Sequence, residues 1–137
     1  MELARVDAVS YEPRVSPDGR SFSYLRYFTE SGPAIFKAIV ADLETGKTLH
    51  EYVVPQGTEQ LKWAPDGESL TYVSRKGQSR SLVRLPLNGK PAITVLQFDS
   101  EPLLIKAYDW SPDGKKLALT RAPYHDTDVV MFSIPSK

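Results

Sequence analysis

Cysteine is absent from this sequence. There is therefore no disulfide framework, no thiolate zinc site and no cysteine nucleophile, and the redox compartment leaves no trace. Net charge is absent too, with 17 Lys and Arg against 17 Asp and Glu. The lack of an excess of basic residues argues against counterion-driven nucleic-acid binding and against a polybasic membrane patch. No apolar run approaches the ~18 residues of a membrane-spanning helix. The N-terminal stretch MELARVDAV lacks the basic start and apolar core of a signal peptide. The expectation is a chain that neither inserts into a membrane nor carries an address. It would be cytoplasmic as written, and periplasmic or extracellular if cut from a longer parent. Histidine is scarce, only His50 and His125. No G-x-S-x-G, phosphate loop or dinucleotide fingerprint occurs.

What the chain does have is repetition. VSPDG at 15–19, WAPDG at 63–67 and WSPDG at 110–114 place Asp18, Asp66 and Asp113 at spacings of 48 and 47 residues. A period of that size marks a stacked or circular array of like units. Each copy suits a tight turn. Pro17, Pro65 and Pro112 preset the first turn dihedral, and the aspartates can accept nearby backbone N–H bonds. Gly19, Gly67 and Gly114 accept positive φ. Apolar residues then alternate, as in Leu70 and Tyr72 or Leu117 and Leu119, which is strand periodicity. Further strands are predicted at 34–43, 81–87 and 128–134, and again at 48–54 and 92–98 after turns at Gly46 and Asn88-Gly89. No segment has helical periodicity.

The predicted fold class is thus all-β, with four-stranded antiparallel units, A to D, repeated three times. That is the pattern of β-propeller blades. The three [WV]-[SA]-P-D-G hairpins resemble the TolB-like, WD-related propeller repeats of bacterial proteins. The third unit also looks like repeats appended to bacterial membrane kinases and transcriptional regulators. Val15 and Ala64 depart from the pattern's tryptophan and serine without disturbing the turn. For core, Trp63 and Trp110 are predicted to pack between blades, as are Tyr24, Tyr72 and Leu119.

The expected domain is single, 1–137, with a D strand at 3–9, blade one at 12–54, blade two at 60–98 and blade three at 105–134. Three blades fall short of the about four to eight of a closed ring. Two chains supply six, with residues 3–9 of each completing blade three of the other. The expected partner is therefore a second copy, since pairing the end faces removes apolar surface enough to outweigh lost rigid-body freedom.

Recognition is expected on the loops between strands B and C and between D and A, which vary while the opposite rim repeats. Arg75, Arg80, Arg121, Tyr124 and His125 are the residues picked for contact with a protein or peptide, with Leu103 and Leu104 as an apolar element. Asp18, Asp66 and Asp113 are read as turn residues rather than a cation ring. His50 is read as a strand surface residue, and RAPYHDTD at 121–128 as a loop rather than a metal site. The expected function is a non-catalytic binding module without metal or cofactor. Two alternatives stand beside it. One is a propeller-type lyase or hydrolase working at the central channel, as the resemblance to six-bladed relatives of that kind implies; related propellers precede catalytic α/β domains in some peptidases, but no such domain lies within these 137 residues. The other is an accessory fragment of a larger bacterial signalling protein.

Overall fold

The computed structural model describes residues 8–29, 32–98, 104–122 and 128–135. These form eleven strands in three antiparallel sheets, with no helix among the described residues. The first sheet is β1 (Ala8–Val15), β2 (Ser21–Phe28), β3 (Ile35–Asp42) and β4 (Thr48–Val54), in that order. The second repeats it with β5 (Glu59–Trp63), β6 (Ser69–Lys76), β7 (Ser79–Pro86) and β8 (Ile93–Phe98). The third contains β9 (Leu104–Trp110), β10 (Lys116–Ala122) and β11 (Asp128–Ser133). Of the segment expected to act as a displaced D strand, residues 3–7 lie outside the described residues. Ala8 and Val9 pair with Phe28 and Tyr27 inside the first sheet.

Each A-to-B hairpin closes on its Pro-Asp-Gly turn. The glycines adopt φ of 72°, 73° and 70° at Gly19, Gly67 and Gly114, a region that an L side chain rarely adopts. Their N–H groups donate to Ser16, Ala64 and Ser111 carbonyls at 2.9, 2.9 and 2.8 Å. Alternation along each strand then gives every sheet two apolar faces.

Those faces stack. Leu25 and Val40 of the first sheet meet Leu61, Leu70 and Tyr72 of the second. Val73 and Leu82 of the second meet Tyr108, Trp110, Leu117 and Leu119 of the third. The middle sheet is covered on both sides, so β6 buries five consecutive residues, Ser69–Val73. Tyr72 and Leu119 are core as expected, but Tyr24 is only half-buried. It lies on the face of the first sheet turned away from the second, where no sheet packs among the described residues. Trp110 is buried, and Trp63 is half-buried against the first core cluster.

The sheets are also pinned by side chains. Glu12 and Gln60 sit at equivalent places in β1 and β5, where the strand register shifts. Both have left-handed backbones, φ 56° and 57°. The Glu12 carboxylate accepts the Leu61 N–H at 2.7 Å, and Gln60 Nε2 donates to the Ile105 carbonyl at 2.6 Å.

Candidate functional site

Arg75 and Arg80 do not stand on a loop. The stretch 75–80 is a tight hairpin turning at Gly77 (φ 58°), and the two arginines are cross-strand partners of β6 and β7. Arg80 Nη1 donates to the carbonyls of Gly77 and Ser79, both at 3.0 Å, so its guanidinium holds the hairpin. Arg75 is exposed. Its carbonyl lies 3.0 Å from where a Cβ on Gly57 would stand, so the D-to-A loop at Gly57 is packed against this hairpin. The backbone of Arg121 pairs with Ile105 and Asp128 near the end of β10. Tyr124, His125 and Leu103 lie outside the described residues, and Leu104 begins β9.

On the opposite rim the repeated aspartates are consumed by their own turns. Asp18 Oδ1 accepts the Ser16 hydroxyl at 2.6 Å and the Arg20 N–H at 3.0 Å. Asp113 repeats this with Ser111 and Lys115. The hydroxyl bonds, then the backbone bonds, hold both carboxyls below the usual carboxylate range. In the middle turn Ala64 offers no hydroxyl, and Asp66 Oδ1 accepts the Glu68 N–H at 2.9 Å. Among the described residues no group of three or more His, Asp and Glu side chains could hold a metal ion.

Between the second and third turns lies a groove of about 460 Å³, walled by Pro65 and Pro112. Arg84 of β7 lines it. Its guanidinium lies 5.5 Å from the Trp110 ring centroid, and Nη2 is 3.7 Å from Asp66 Oδ2. Arg84 Nε is buried without a partner. Sequence reasoning passed over this residue, because one arginine within SLVRLPL reads as an ordinary strand surface position. Its signal was positional: the same repeat position holds Val40 in the first sheet and Met131 in the third.

Behind Arg84 the second and third sheets share a buried polar chain. Tyr108 donates its phenol proton to the Gln60 carbonyl at 2.8 Å. Thr71 Oγ1 lies 2.9 Å from the Tyr108 oxygen and accepts the Trp110 indole N–H at 3.2 Å. With its own proton given to Gln60, the phenol oxygen receives the Thr71 proton. Burial pushes the Tyr108 phenol well above its ordinary value, so the group is a fixed neutral donor. His50 is exposed on β4, its ring stacked on Tyr52 with centroids 6.1 Å apart.

Among the described residues no sheet covers the outward faces of the first and third sheets. On the first sheet Val15 is 58% exposed, next to the stacked pair Phe22 and Tyr24. At its edge Lys37 pairs with Glu51 at 2.6 Å and lies 5.1 Å from the Phe28 ring centroid. On the third sheet Val129 and Met131 are 77% and 67% exposed.

No family model matches the chain. Among curated proteins it is 28% identical over 127 residues to the uncharacterized peptidase YuxL of Bacillus subtilis, covering 93% of the chain and 17% of YuxL. It is 26% identical over 134 residues to dipeptidyl peptidase 4 of Felis catus, covering 86% and 17%. Its structure matches the β-propeller domain of the Trilobed protease from Pyrococcus furiosus with TM-score 0.68 at 14% identity, over 94% of this chain and 40% of that one. It matches TolB from Acinetobacter baumannii with TM-score 0.61 at 24% identity, over 89% and 29%. The fold is that of β-propeller blades. The three sheets are accordingly blades one to three.

These relatives overturn the expected function. A binding module without catalysis was inferred from missing catalytic motifs, yet the curated relatives are peptidases. The chain spans 17–19% of their length. A motif absent from 137 residues therefore carries no information about the rest of such a protein.

Proposed function

We propose that these three blades are propeller blades of a peptidase, and that the chemistry is supplied from outside the described residues. The observation that carries this is the 28% identity to YuxL over 93% of the chain. The feline peptidase, matched independently over 86%, supports it. Peptide-bond hydrolysis needs a nucleophile, a base and an oxyanion site brought together. Here His50 is engaged with Tyr52, and the repeated aspartates are engaged in turns. The blades themselves are of the TolB-like kind in this reading. The three [WV]-[SA]-P-D-G hairpins and the likeness to TolB in three dimensions support it.

The test starts from an antibody raised against the purified 137-residue chain, used to capture the native polypeptide that carries it. The captured protein is incubated with a defined peptide mixture, and new amino termini are counted by mass spectrometry. Hydrolysis that co-purifies with the blades is the expected result. A homogeneous native protein that releases no new termini overturns the reading.

A further inference from the structure

We propose that the groove between the second and third turns is a binding site for a single carboxylate group, held by Arg84, with the rest of the ligand lying against the proline walls. Arg84 carries the proposal. Its side chain is 13% exposed, so a full charge is largely withdrawn from water, which is costly unless the charge is paired and hydrogen-bonded. The pairing is incomplete. Nη2 stands 3.7 Å from Asp66 Oδ2, beyond the about 2.7–2.9 Å of a charge-assisted bond. Nε is buried without a partner. Asp66 is tethered by its own turn, where Oδ1 accepts the Glu68 N–H at 2.9 Å. The Trp110 ring, 5.5 Å from the guanidinium, attracts the cation through its π face and uses none of the in-plane N–H groups.

The repeat itself does not ask for a guanidinium. The equivalent Val40 is buried in the first core cluster, and the third blade carries Met131 there. An aliphatic side chain therefore suffices to build this position. A buried charge set where the repeat uses an aliphatic group is the kind of local departure that functional sites show.

The groove is ready-formed. A Cβ on Gly114 would stand 3.9 Å from the Pro65 ring, so the two turns are in contact, and the Ile134 N–H donates to the Lys115 carbonyl at 2.8 Å. Its 460 Å³ falls within the about 300–1,000 Å³ of small-ligand sites. Pro65, Pro112, Ile134 and Pro135 give it an apolar surface beside the charge. The charge of the lining selects the ligand. Arg84 and Lys115 share the groove with the carboxylates of Asp66, Glu68 and Asp113. A phosphate group, more than singly charged at neutral pH, is repelled by that lining. A carboxylate brings one charge and two oxygens, which match the guanidinium fork.

Trp110 and Trp63 are the two tryptophans of the chain, and only Trp110 lies against Arg84, while Trp63 bonds the Arg14 carbonyl at the other junction. Their indole N–H resonances in the isotopically labelled chain are thus a reporter and a control. N-acetyl-dialanine should move the Trp110 signal saturably and leave Trp63 in place, and its C-terminal amide should move neither. Arg84→Met, which installs the side chain that blade three carries there, should weaken binding at least about tenfold. Arg84→Lys, which keeps the charge without the fork, should weaken it as well. Circular dichroism and dispersed indole signals confirm that each variant is folded. Propionate binding as tightly as the peptide assigns the site to small carboxylates, and weaker propionate binding assigns it to a peptide terminus. An unmoved Trp110 signal, an equal response to the amide or to inorganic phosphate, or an unchanged titration in the folded Arg84 variants overturns the proposal. The inference does not rest on the peptidase reading, and none of these measurements uses activity.

Discussion

Glu12 and Gln60 hold the same place in successive repeats, and each reaches the first strand of the next blade from a left-handed backbone. The chemistry is inverted between them. A carboxylate accepts an N–H at the first interface, and a carboxamide donates to a carbonyl at the second. A left-handed non-glycine residue is uncommon and costs energy. At the first interface the cost is offset by satisfying the buried Leu61 N–H, which the shifted strand register leaves without a ladder partner.

Glu12→Ala leaves the Leu61 N–H buried and unpaired, with Leu61 itself fully buried. The expected loss is about 1–3 kcal/mol, read from urea unfolding at neutral pH. Glu12→Gln keeps an acceptor of the same reach and should recover most of that loss.

Thr71 is the hinge of the chain from Trp110 to Tyr108. Thr71→Val keeps the volume but strands the indole N–H and removes the proton donated to the phenol oxygen. The expected cost is about 1–3 kcal/mol. Combined with Trp110→Phe, the loss should be less than additive, since one stranded donor is then gone. An additive double-variant cycle would argue against this bond.

Ala64 is the one turn position without the serine seen at Ser16 and Ser111. Ala64→Ser should restore the hydroxyl bond to Asp66 that the other two turns make. The expected gain is about 0.5–1.5 kcal/mol, visible as a raised thermal midpoint. The reverse changes, Ser16→Ala and Ser111→Ala, should lower it.

Asp18 and Asp113 have carboxyls held below their ordinary value by Ser16 and Ser111 first, then by backbone N–H groups. The unfolded chain, with an ordinary aspartate near about 3.9, binds protons that the folded chain does not. The stabilisation is therefore complete above about pH 4 and is lost as pH falls through the folded values. Urea midpoints measured at about pH 6 and about pH 3 should differ less in the Asp18→Asn, Asp113→Asn variant than in the unmodified chain.

The repeat was legible because turn chemistry is local. Proline, aspartate and glycine act within four residues, and strand alternation needs only its own side chains. The cross-blade arms were not legible. Nothing in YEPRV marks Glu12 as left-handed, and its partner Leu61 is a full repeat away. Arg75 and Arg80 misled for the opposite reason. Polar residues around Gly77 look like a loop, yet exposed strand ends are polar too, and β6 runs on to Lys76. The function was misread because it was sought in motifs that a length of 137 residues does not hold.

β6, buried on both sides, also governs how the molecule comes apart. Among the described residues each core cluster joins two neighbouring blades, so stability behaves as a short linear chain of units with coupling at each junction. Among the described residues the central unit has two junctions and the outer units have one, so in the 137-residue chain the outer units should be the first to open. Amide protons of Leu70 to Val73 should exchange last, and those of β4 and β11, at the outer edges of the terminal units, first. A cooperative whole-molecule transition would then require the outer units to gain a second junction of their own, so the sharpness of unfolding becomes a readout of whether the ends are occupied.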